Sequence, residues 1–353
     1  MRTARSLLVT ADDRSGAMEC AAQCADAGWR SAVTSWDGER PDGTDVDCEV
    51  IDLRSRHVSP EAARERVTAA LAIPAVRRAH KIDSTLRGNW AVEIDALRPA
   101  GRLLVVPAYP SAGRTCVGGI VRVAGVPVAD SEFGTDPRSP GRTSRPAPVL
   151  GAREVADLGA LRLWLSDTGP GVCVADAVTD GEVEAIVDAL RASPGVVIVG
   201  TGLAIGAVAR TAGRVPTGLP SGLGLGEGGV LVVCGSRHPV SVRQAEAVAP
   251  LAGVSVMLPP PDLRADPEVV ALELAVRAHE FVAATGTGTV VLLGGDTADA
   301  FVGERVVRVL GSLGGMALGI VEVGDREISI LSKPGGFGND HTVLDLLNDE
   351  RWQ

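Results

Sequence analysis

Ser6-Leu-Leu-Val-Thr-Ala-Asp-Asp-Arg-Ser-Gly16 is an apolar run that passes directly into a polar turn. The apolar part predicts a buried strand, and residues 17–27 after the turn predict a helix that Gly28 ends. The same order of strand, polar turn and helix recurs along the chain. Such alternation is typical of an α/β fold with a mainly parallel, doubly wound sheet.

The remaining predicted elements continue this alternation. Further strands are predicted at 47–53, 78–82, 102–106, 172–175, 195–199, 230–233, 254–258, 289–293, 319–323 and 328–331. Further helices are predicted at 59–73, 89–97, 182–192, 202–212, 240–251, 267–284 and 298–310. The first of these helices has a clear start, because Ser59 is a good N-cap, Pro60 suits the first position and Glu61 suits the first turn.

Two segments interrupt the pattern. Residues 134–148 are rich in Pro, Gly, Ser and Arg and predict a long surface loop. Residues 213–229 carry seven glycines and two prolines without periodicity, which predicts a linker. We therefore predict two domains, residues 1–222 and residues 223–353, each a mainly parallel sheet flanked by helices. The active site is expected in the cleft between them, because ligands of such sheets bind at the carboxyl ends of strands.

Charge and composition limit the kinds of partner. The formal net charge is −10, and a protein that binds nucleic acid needs a basic face, so nucleic acid is not expected. No apolar run approaches the roughly 20 residues of a membrane span, and the apolar stretch near the start ends at Asp12, too soon for a signal peptide. We therefore expect a soluble, cytoplasmic protein. An exposed sheet edge or apolar helix face would make a homodimer plausible.

The cysteines and histidines do not predict a metal site. The six cysteines have no CxxC spacing, and His238 has no second histidine at a metal-binding spacing. We therefore expect the cysteines to be small buried residues and predict no site in which the protein alone holds a metal ion.

Polar side chains gather at three predicted strand ends in the first half. They are Asp12, Asp13 and Arg14, then Lys81, Asp83, Ser84 and Arg87, and finally Arg114. Carboxylates suit the hydroxyls of a polyol and can accept a proton from one of them. The cations suit a substrate carboxylate and the charge of a phosphate. Each residue alone could be a capping or turn residue, but three groups at equivalent strand ends predict a site.

Glycine-rich segments follow three predicted strands in the second half. Their candidate binding residues are Ser236, Gly294, Gly295, Asp296, Thr297, Lys333, Gly335, Gly336 and Gly338. Glycine lets backbone amides approach a phosphate, and the N-terminus of a helix adds partial positive charge. Neither a P-loop nor a GxGxxG motif is present, and single glycine loops are often only tight turns. The three together indicate a nucleotide site.

Lysine is unusually rare in this chain. Of the 34 basic residues only Lys81 and Lys333 are lysines, and all the others are arginine. Arginine is a poor substitute where a compact ammonium must fit beside a phosphate or carboxylate. The two lysines lie in the two candidate regions, which favours a role for both.

Together these motifs resemble the four-carbon acid sugar kinase family. Ala11-Asp-Asp-Arg-Ser-Gly-Ala17 resembles its ADDLTGA start, and Lys81-Ile-Asp-Ser-Thr-Leu-Arg-Gly-Asn89 is similar to its KxDSTLRGN motif. Pro107-Ala-Tyr-Pro-Ser-Ala-Gly-Arg-Thr115 resembles its PAFPxxGRT run. Similar segments include Gly200–Ala204 and Lys333–Gly338, so the resemblance spans nearly the whole chain.

The resemblance implies phosphorylation of a hydroxyl of a sugar acid such as threonate, erythronate or 3-oxo-tetronate, with ATP and Mg²⁺. It implies that the amino-terminal domain holds the acid and the carboxyl-terminal domain holds ATP. The acid would face Asp12, Asp13, Lys81, Asp83, Arg87 and Arg114, and one of the two aspartates would act on the attacking hydroxyl. Ser236, Gly294–Thr297 and Gly335–Gly338 would face ATP.

Two departures from the family motif leave alternatives open. Arg14 and Ser15 replace the Leu-Thr of the first motif and put a cation, also a candidate acid ligand, beside the carboxylates. One alternative is a kinase for a different hydroxy acid from a biosynthetic pathway. The other is a non-catalytic ligand-binding protein that retains the kinase fold.

Overall fold

The computed structural model describes residues 5–36, 45–193, 195–220, 223, 225–260 and 266–349. The strands found within them are β1 (Arg5–Ala11), β2 (Ser31–Ser35), β3 (Cys48–Asp52), β4 (Ala75–Lys81), β5 (Arg102–Val106), β6 (Arg114–Val117), β7 (Ile120–Val123), β8 (Val126–Pro127), β9 (Arg153–Val155), β10 (Val172–Ala175), β11 (Val196–Gly200), β12 (Val230–Cys234), β13 (Val254–Met257), β14 (Thr289–Leu293), β15 (Val307–Leu313), β16 (Met316–Val323) and β17 (Arg326–Lys333). The α-helices are α1 (Arg14–Asp26), α2 (Pro60–Leu71), α3 (Trp90–Leu97), α4 (Pro146–Leu150), α5 (Leu158–Ser166), α6 (Asp180–Asp188), α7 (Gly202–Arg210), α8 (Pro239–Val248), α9 (Pro267–Thr285), α10 (Gly295–Val302) and α11 (Thr342–Leu347).

One large sheet runs through the described part of the chain. Its fourteen strands lie in the order β13-β12-β14-β17-β16-β15-β2-β3-β1-β4-β11-β5-β10-β9. Neighbouring strands are parallel except at β17–β16, β16–β15 and β15–β2. Strands β6, β7 and β8 form a separate small antiparallel sheet. The prediction of a mixed α/β fold built on a mainly parallel sheet with flanking helices is therefore confirmed.

The two parallel blocks are joined by the antiparallel strands. Three antiparallel pairings in succession reverse the strand direction, so the block of β12, β14 and β17 runs opposite to the block of β1, β3 and β4. The junction is the short pairing of Val307–Val309 with Ser31–Val33, which was not predicted.

The division into domains 1–222 and 223–353 stays a prediction. Gly222, the last residue before the predicted boundary, lies outside the described residues. The described part of the predicted linker, residues 213–220, 223 and 225–229, contains neither helix nor strand.

Local sequence signals explain where the first helices begin. Asp13 caps α1, because its Oδ1 accepts a hydrogen bond of 2.9 Å from the amide of Gly16. Ser59 caps α2 as predicted, with Pro60 at the first position and Glu61 in the first turn. These caps satisfy amides that the helix itself leaves unpaired.

Several predicted elements are wrong or were missed. The predicted helix 298–310 ends at Val302, and Val307–Leu313 is instead strand β15. Gly303 has a φ of +60°, which ends the helix, and buried and more exposed residues alternate in the strand that follows. Strand β2 was missed, and the predicted loop 134–148 ends within helix α4. The other predicted strands and helices are present, with ends displaced by at most a few residues.

The core is aliphatic. Phe301 is the one aromatic residue among the largest fully buried side chains in the described part of the chain. All six cysteines are free and buried, so their prediction as small buried residues is confirmed. No helix among the described residues has the length and apolar character needed to cross a bilayer.

Candidate active site

Two neighbouring strands bring Asp12 and Lys81 together. In the parallel pairing of β1 with β4, Ala11 lies opposite Lys81, and Asp12 is the next residue. Both side chains are buried, with 2% of Asp12 and 5% of Lys81 exposed. The structure thus places two predicted residues side by side at the carboxyl edge of the sheet.

Arg56, which the sequence analysis missed, binds three aspartates at this edge. Its Nε lies 2.7 Å from Asp12 Oδ2, its Nη1 2.8 Å from Asp13 Oδ2 and its Nη2 3.6 Å from Asp83 Oδ1. The backbone amide of Arg56 also donates to the carbonyl of Asp12, over 3.1 Å. Arg56 lies four residues beyond the end of β3, the strand next to β1. Because ligands of parallel sheets bind at the carboxyl ends of strands, the residues that follow β3 could have been examined, and Arg56 is one of them.

The two adjacent aspartates differ in their ionisation. Burial raises the pKa of Asp12 to about 6, although Arg56 acts in the opposite direction. Burial also acts to raise the pKa of Asp13, but there Arg56 and Lys81 outweigh it and the pKa is lowered. The geometry differs too, because both oxygens of Asp13 accept hydrogen bonds while the buried Oδ1 of Asp12 has no hydrogen-bond partner.

Lys81 occupies space that Gly16 leaves open. A β-carbon on residue 16 would lie 2.7 Å from the Lys81 Nζ and 2.7 Å from Asp13 Oδ1. Burial lowers the pKa of Lys81, but Asp12, Asp13 and Glu19 outweigh burial and raise it above its usual value. Lys81 is therefore a charged ammonium among carboxylates. Glu19, which was also missed, contributes to this charge balance.

Asp83 holds Arg87 in a two-pronged ion pair. Arg87 Nε donates to Asp83 Oδ2 over 2.8 Å, and Arg87 Nη2 donates to Oδ1 over 3.0 Å. Burial acts to raise the pKa of Asp83, but Arg87 and Arg56 hold it well below its usual range. Ser84 is buried at the same strand end. The carboxylate of Asp83 therefore orients Arg87.

Arg114 lies between two aromatic rings from different parts of the chain. Its guanidinium carbon is 5.8 Å from the ring centre of Phe133 and 4.6 Å from that of Phe337, in the glycine loop after β17. Arg87 lies over the same Phe133 ring at 5.3 Å. The buried Nε of Arg114 has no hydrogen-bond partner. Two predicted acid-binding arginines thus flank one ring.

Arg14 belongs to a different cluster. Its Nε is 3.2 Å from Asp52 Oδ2, and its Nη2 is 3.3 Å from Asp299 Oδ1 and 2.8 Å from the carbonyl of Gly303. Arg54 binds the same aspartate, with Nη2 2.9 Å from Asp299 Oδ1. Arg14 therefore ties the start of α1 to the helix α10.

The three glycine loops of the second half lie side by side. They follow β12, β14 and β17, which are neighbours in the sheet. Gly294 has a φ of +115°, which favours glycine. A β-carbon on Gly335 would lie 2.6 Å from Ser236 Oγ, so the loops after β12 and β17 pack closely. The N-terminus of α10 carries partial positive charge, which suits a phosphate.

The other predicted residues of this region support the loops. Thr297 Oγ1 accepts from the amide of Gly235 at 3.1 Å, which links the loop after β12 to α10. Lys333 is 2% exposed, and burial lowers its pKa to about 8. The start of the glycine loop is held by its ammonium, which donates to the Pro334 carbonyl. Gly336 approaches His238, and Gly338 approaches Thr342.

The acidic edge and the glycine loops adjoin. A β-carbon on Gly295 would lie 3.0 Å from Ser15 Oγ and 3.7 Å from Asp13 Oδ2. Gly294 donates its amide to the carbonyl of Lys333 over 3.1 Å. Gly294 is thus held by the strand end at Lys333, while the next residue, Gly295, approaches Asp13 of the acidic edge.

Comparison with known proteins places the chain in a family. Residues 7–207 match the model of the sugar-binding N-terminal domain. The D-threonate kinase of Cupriavidus necator is 32% identical over 94% of this chain and 86% of the relative. The chain belongs to the four-carbon acid sugar kinase family. The 3-oxo-tetronate kinase of Methylobacterium radiotolerans is 31% identical over 75% of this chain and 69% of that enzyme.

A solved structure has a related fold. It is a domain of unknown function from Bordetella bronchiseptica, 26% identical, with a TM-score of 0.54 over 97% of this chain and 97% of its own. That protein crystallised with bound citrate as a domain-swapped dimer.

Among the described residues no group of His, Cys, Asp and Glu side chains could by itself hold a metal ion at the candidate site. A magnesium ion that accompanies a nucleotide needs only one or two carboxylates, with phosphates and water as its other ligands. The exposed carboxylate of Asp296, in the first turn of α10, fits such a role.

A separate cavity lies away from this site. It has a volume of about 680 Å³, is mainly apolar and lies beside β9 and β10. Its carboxylates cap their own backbone: Asp157 accepts from the amide of Ala160, and Asp176 accepts from those of Gly118 and Gly119.

Proposed function

We propose that this protein is an ATP-dependent kinase that phosphorylates a hydroxyl of a four-carbon sugar acid such as threonate, erythronate or 3-oxo-tetronate. The observation that carries the proposal is the junction of the acidic edge with the glycine loops, where the β-carbon position of Gly295 is 3.7 Å from Asp13 Oδ2. A phosphoryl donor in the loops and a hydroxyl at the aspartates would then be neighbours. Phosphoryl transfer depends mainly on such positioning and on neutralised charge.

The acid would be held by cations at the edge of the sheet. Lys81 offers a compact ammonium, and Arg114 offers a buried Nε without a hydrogen-bond partner. Arg87 is oriented by Asp83 and faces the same Phe133 ring as Arg114. We assign the acid carboxylate to these three cations. Arg14 is left out, because its guanidinium already binds Asp52 and Asp299.

Asp12 is the better candidate for the proton acceptor. One of its oxygens is buried without a partner, whereas both oxygens of Asp13 are engaged. A pKa of about 6 leaves Asp12 ionised at neutral pH yet still basic enough to take a proton. The hydroxyl oxygen of the acid would form its bond to the terminal phosphorus as the bond to the ADP oxygen breaks, and the hydroxyl proton would pass to Asp12. Asp13 would stay ionised, paired with Arg56.

The second half would hold the nucleotide. The amide of Gly295 at the start of α10, Ser236, and the loop from Gly335 to Gly338 would surround the phosphates, and Gly294 would let them approach closely. ATP supplies the phosphoryl group, and Mg²⁺ would offset the charge of its phosphates. Lys333 supports the loop and adds positive charge close to it.

The two-domain arrangement and the assembly are part of the proposal. Residues 1–222 and 223–353 would form the acid-binding and nucleotide-binding domains, with the active site in the cleft between them. A homodimer remains a prediction, which light scattering on the purified protein would check.

A coupled ADP-release assay over a panel of hydroxy acids tests the function. We expect Mg²⁺-dependent turnover with at least one of D-threonate, D-erythronate and 3-oxo-tetronate, and a phosphate ester of that acid by ³¹P NMR. Turnover only with acids of another chain length would favour the alternative hydroxy acid kinase. Absence of ADP release with every acid would favour the non-catalytic alternative. Lys81→Met, which removes the ammonium, should be inactive in the same assay.

A further inference from the structure

The loop that carries residues 136–139 is fixed to the acid-binding side. Asp136 Oδ1 accepts from the amides of Arg138, at 3.0 Å, and Ser139, at 2.9 Å. The other oxygen of Asp136 accepts from Arg87 Nη1 at 3.3 Å. Ser139 Oγ lies 2.8 Å from His57 Nδ1. The backbone around Arg138 is therefore positioned relative to the arginine that would bind the acid.

The side chain of Arg138 reaches the other half of the chain. Its Nη1 donates to Asp296 Oδ2 over 3.0 Å, and its Nη2 donates to Glu268 Oε1. Asp296 lies in the first turn of α10 and Glu268 in the first turn of α9. The first residue of α10 is Gly295, whose amide belongs to the proposed phosphate site. The guanidinium is therefore anchored one residue from that amide.

The ion pairs of Arg138 with Asp296 and Glu268 are too exposed to contribute much to the stability of the fold. The side chain of Asp296 is 45% exposed and that of Glu268 is 65% exposed. Pairs of this kind are easily exchanged for another anion, because water and salt already weaken them. A phosphate is a stronger partner for a guanidinium, since it can accept two parallel hydrogen bonds.

We propose that Arg138 leaves Asp296 to bind the terminal phosphate of the nucleotide, and so becomes a catalytic cation supplied across the junction by the acid-binding side. The inference rests on the proposed function, because it takes the glycine loops as the nucleotide site. An arginine that enters a phosphoryl-transfer site from outside the nucleotide-binding unit neutralises charge that develops in the transition state. Its loop also contacts Arg87 through Asp136, so the same segment would connect the acid with the phosphate.

Calorimetric titration of the full chain with ADP and with the β,γ-imido analogue of ATP tests this contact. Arg138→Gln should weaken binding of the analogue by about 10- to 100-fold, as expected for loss of a charge-assisted hydrogen bond. Binding of ADP, which lacks the terminal phosphate, should change by less than about threefold. Arg138→Lys should give an intermediate loss, because it keeps the charge without the two-pronged geometry.

Glu268→Gln is the matched control, since it removes the other ion pair of Arg138 and no proposed ligand. It should leave the affinities for both nucleotides within about threefold of the unmodified protein. Equal losses for Glu268→Gln and Arg138→Gln, or an unchanged affinity of Arg138→Gln for the analogue, would overturn the inference. If the unmodified protein bound neither nucleotide, this inference and the proposed nucleotide site would both fail. If it bound both but turned over no acid, only the proposed function would fail, and the affinities would still decide the role of Arg138.

Discussion

The Lys81 ammonium lies where a side chain on residue 16 would begin, 2.7 Å from the β-carbon position of Gly16. Glycine at this third position of α1 is therefore a packing requirement of the site. Alanine at this position would stabilise the helix itself, because alanine has a higher helix propensity than glycine.

Gly16→Ala should consequently destabilise the protein by about 1–3 kcal/mol, the usual cost of overpacking a filled interior. It should also abolish most turnover, because Lys81 and Asp13 must move apart. Chemical denaturation and the ADP-release assay measure the two effects. Gly181→Ala is the matched control: it lies in the first turn of α6 with nothing within 4 Å of its β-carbon position, and it should be neutral or slightly stabilising. A stabilised, active Gly16→Ala protein would refute this packing argument.

Asp12→Asn and Asp13→Asn should change stability in opposite directions at pH 7. The pKa of Asp12 is raised to about 6 in the folded protein, so its ionised form costs stability above that pH, and the cost disappears below its ordinary value of 3.8. The lowered pKa of Asp13 means that its charge stabilises the fold above the ordinary value and that this is lost on acidification. Asp12→Asn should therefore stabilise, and Asp13→Asn should destabilise.

The turnover rate gives a second test of the different roles assigned to Asp12 and Asp13. Loss of a proton acceptor costs about 10²- to 10⁴-fold in rate, which we expect for Asp12→Asn. A variant at Asp12 that is destabilised and fully active would contradict both parts of the assignment.

The pH profile of kcat/KM should fall on the acid side as Asp12 is protonated. With a pKa of about 6, the rate should decline by about tenfold per unit well below that pH. Because ATP also titrates in this range, the diagnostic measurement is the profile of Arg56→Gln. Removing the cation that lowers the pKa of Asp12 should move the acid limb to higher pH, whereas Arg56→Lys should move it less. An acid limb that stays in place in Arg56→Gln would exclude Asp12 as its source.

Gly335→Ala should weaken nucleotide binding. Its β-carbon would lie 2.6 Å from Ser236 Oγ, so the loops after β12 and β17 would be forced apart. We expect a loss of about tenfold or more in ADP affinity with little change in melting temperature, since the loop is at the edge of the core. Gly195→Ala, with nothing within 4 Å, is the control. Unchanged affinity in Gly335→Ala would remove this loop from the nucleotide site.

Much of the candidate site was predictable because it depends on local order along the chain. Asp12 follows an apolar run and Lys81 lies in the short predicted strand 78–82, and parallel pairing brings such strand ends together whatever lies between them. Arg56 was missed because no local pattern marks it, and only the neighbouring position of β3 reveals its target. Arg14 was assigned to the acid because it follows the first predicted strand, beside Asp12 and Asp13. The direction of a long side chain depends on partners such as Asp299, which is distant in sequence.

For the fold, too, the features that depend on local sequence were predictable and the long-range pairings were not. Strands buried on both faces, such as β5 and β14, give continuous apolar runs and were placed correctly. Strand β15 contains Gly311 and polar residues, so it is not a continuous apolar run. Its first residues were predicted as the end of a helix, because their apolar spacing also fits a helix. Its pairing with β2 involves residues almost 280 positions apart, a relationship that no local pattern encodes.

The short antiparallel pairing of β15 with β2 has a mechanical consequence. Sliding one block along the other would break every hydrogen bond between Val307–Val309 and Ser31–Val33 at once, whereas a change of twist would keep them. Helix α1 also packs on β15, so this seam is supported from one face and resists sliding of one block along the other.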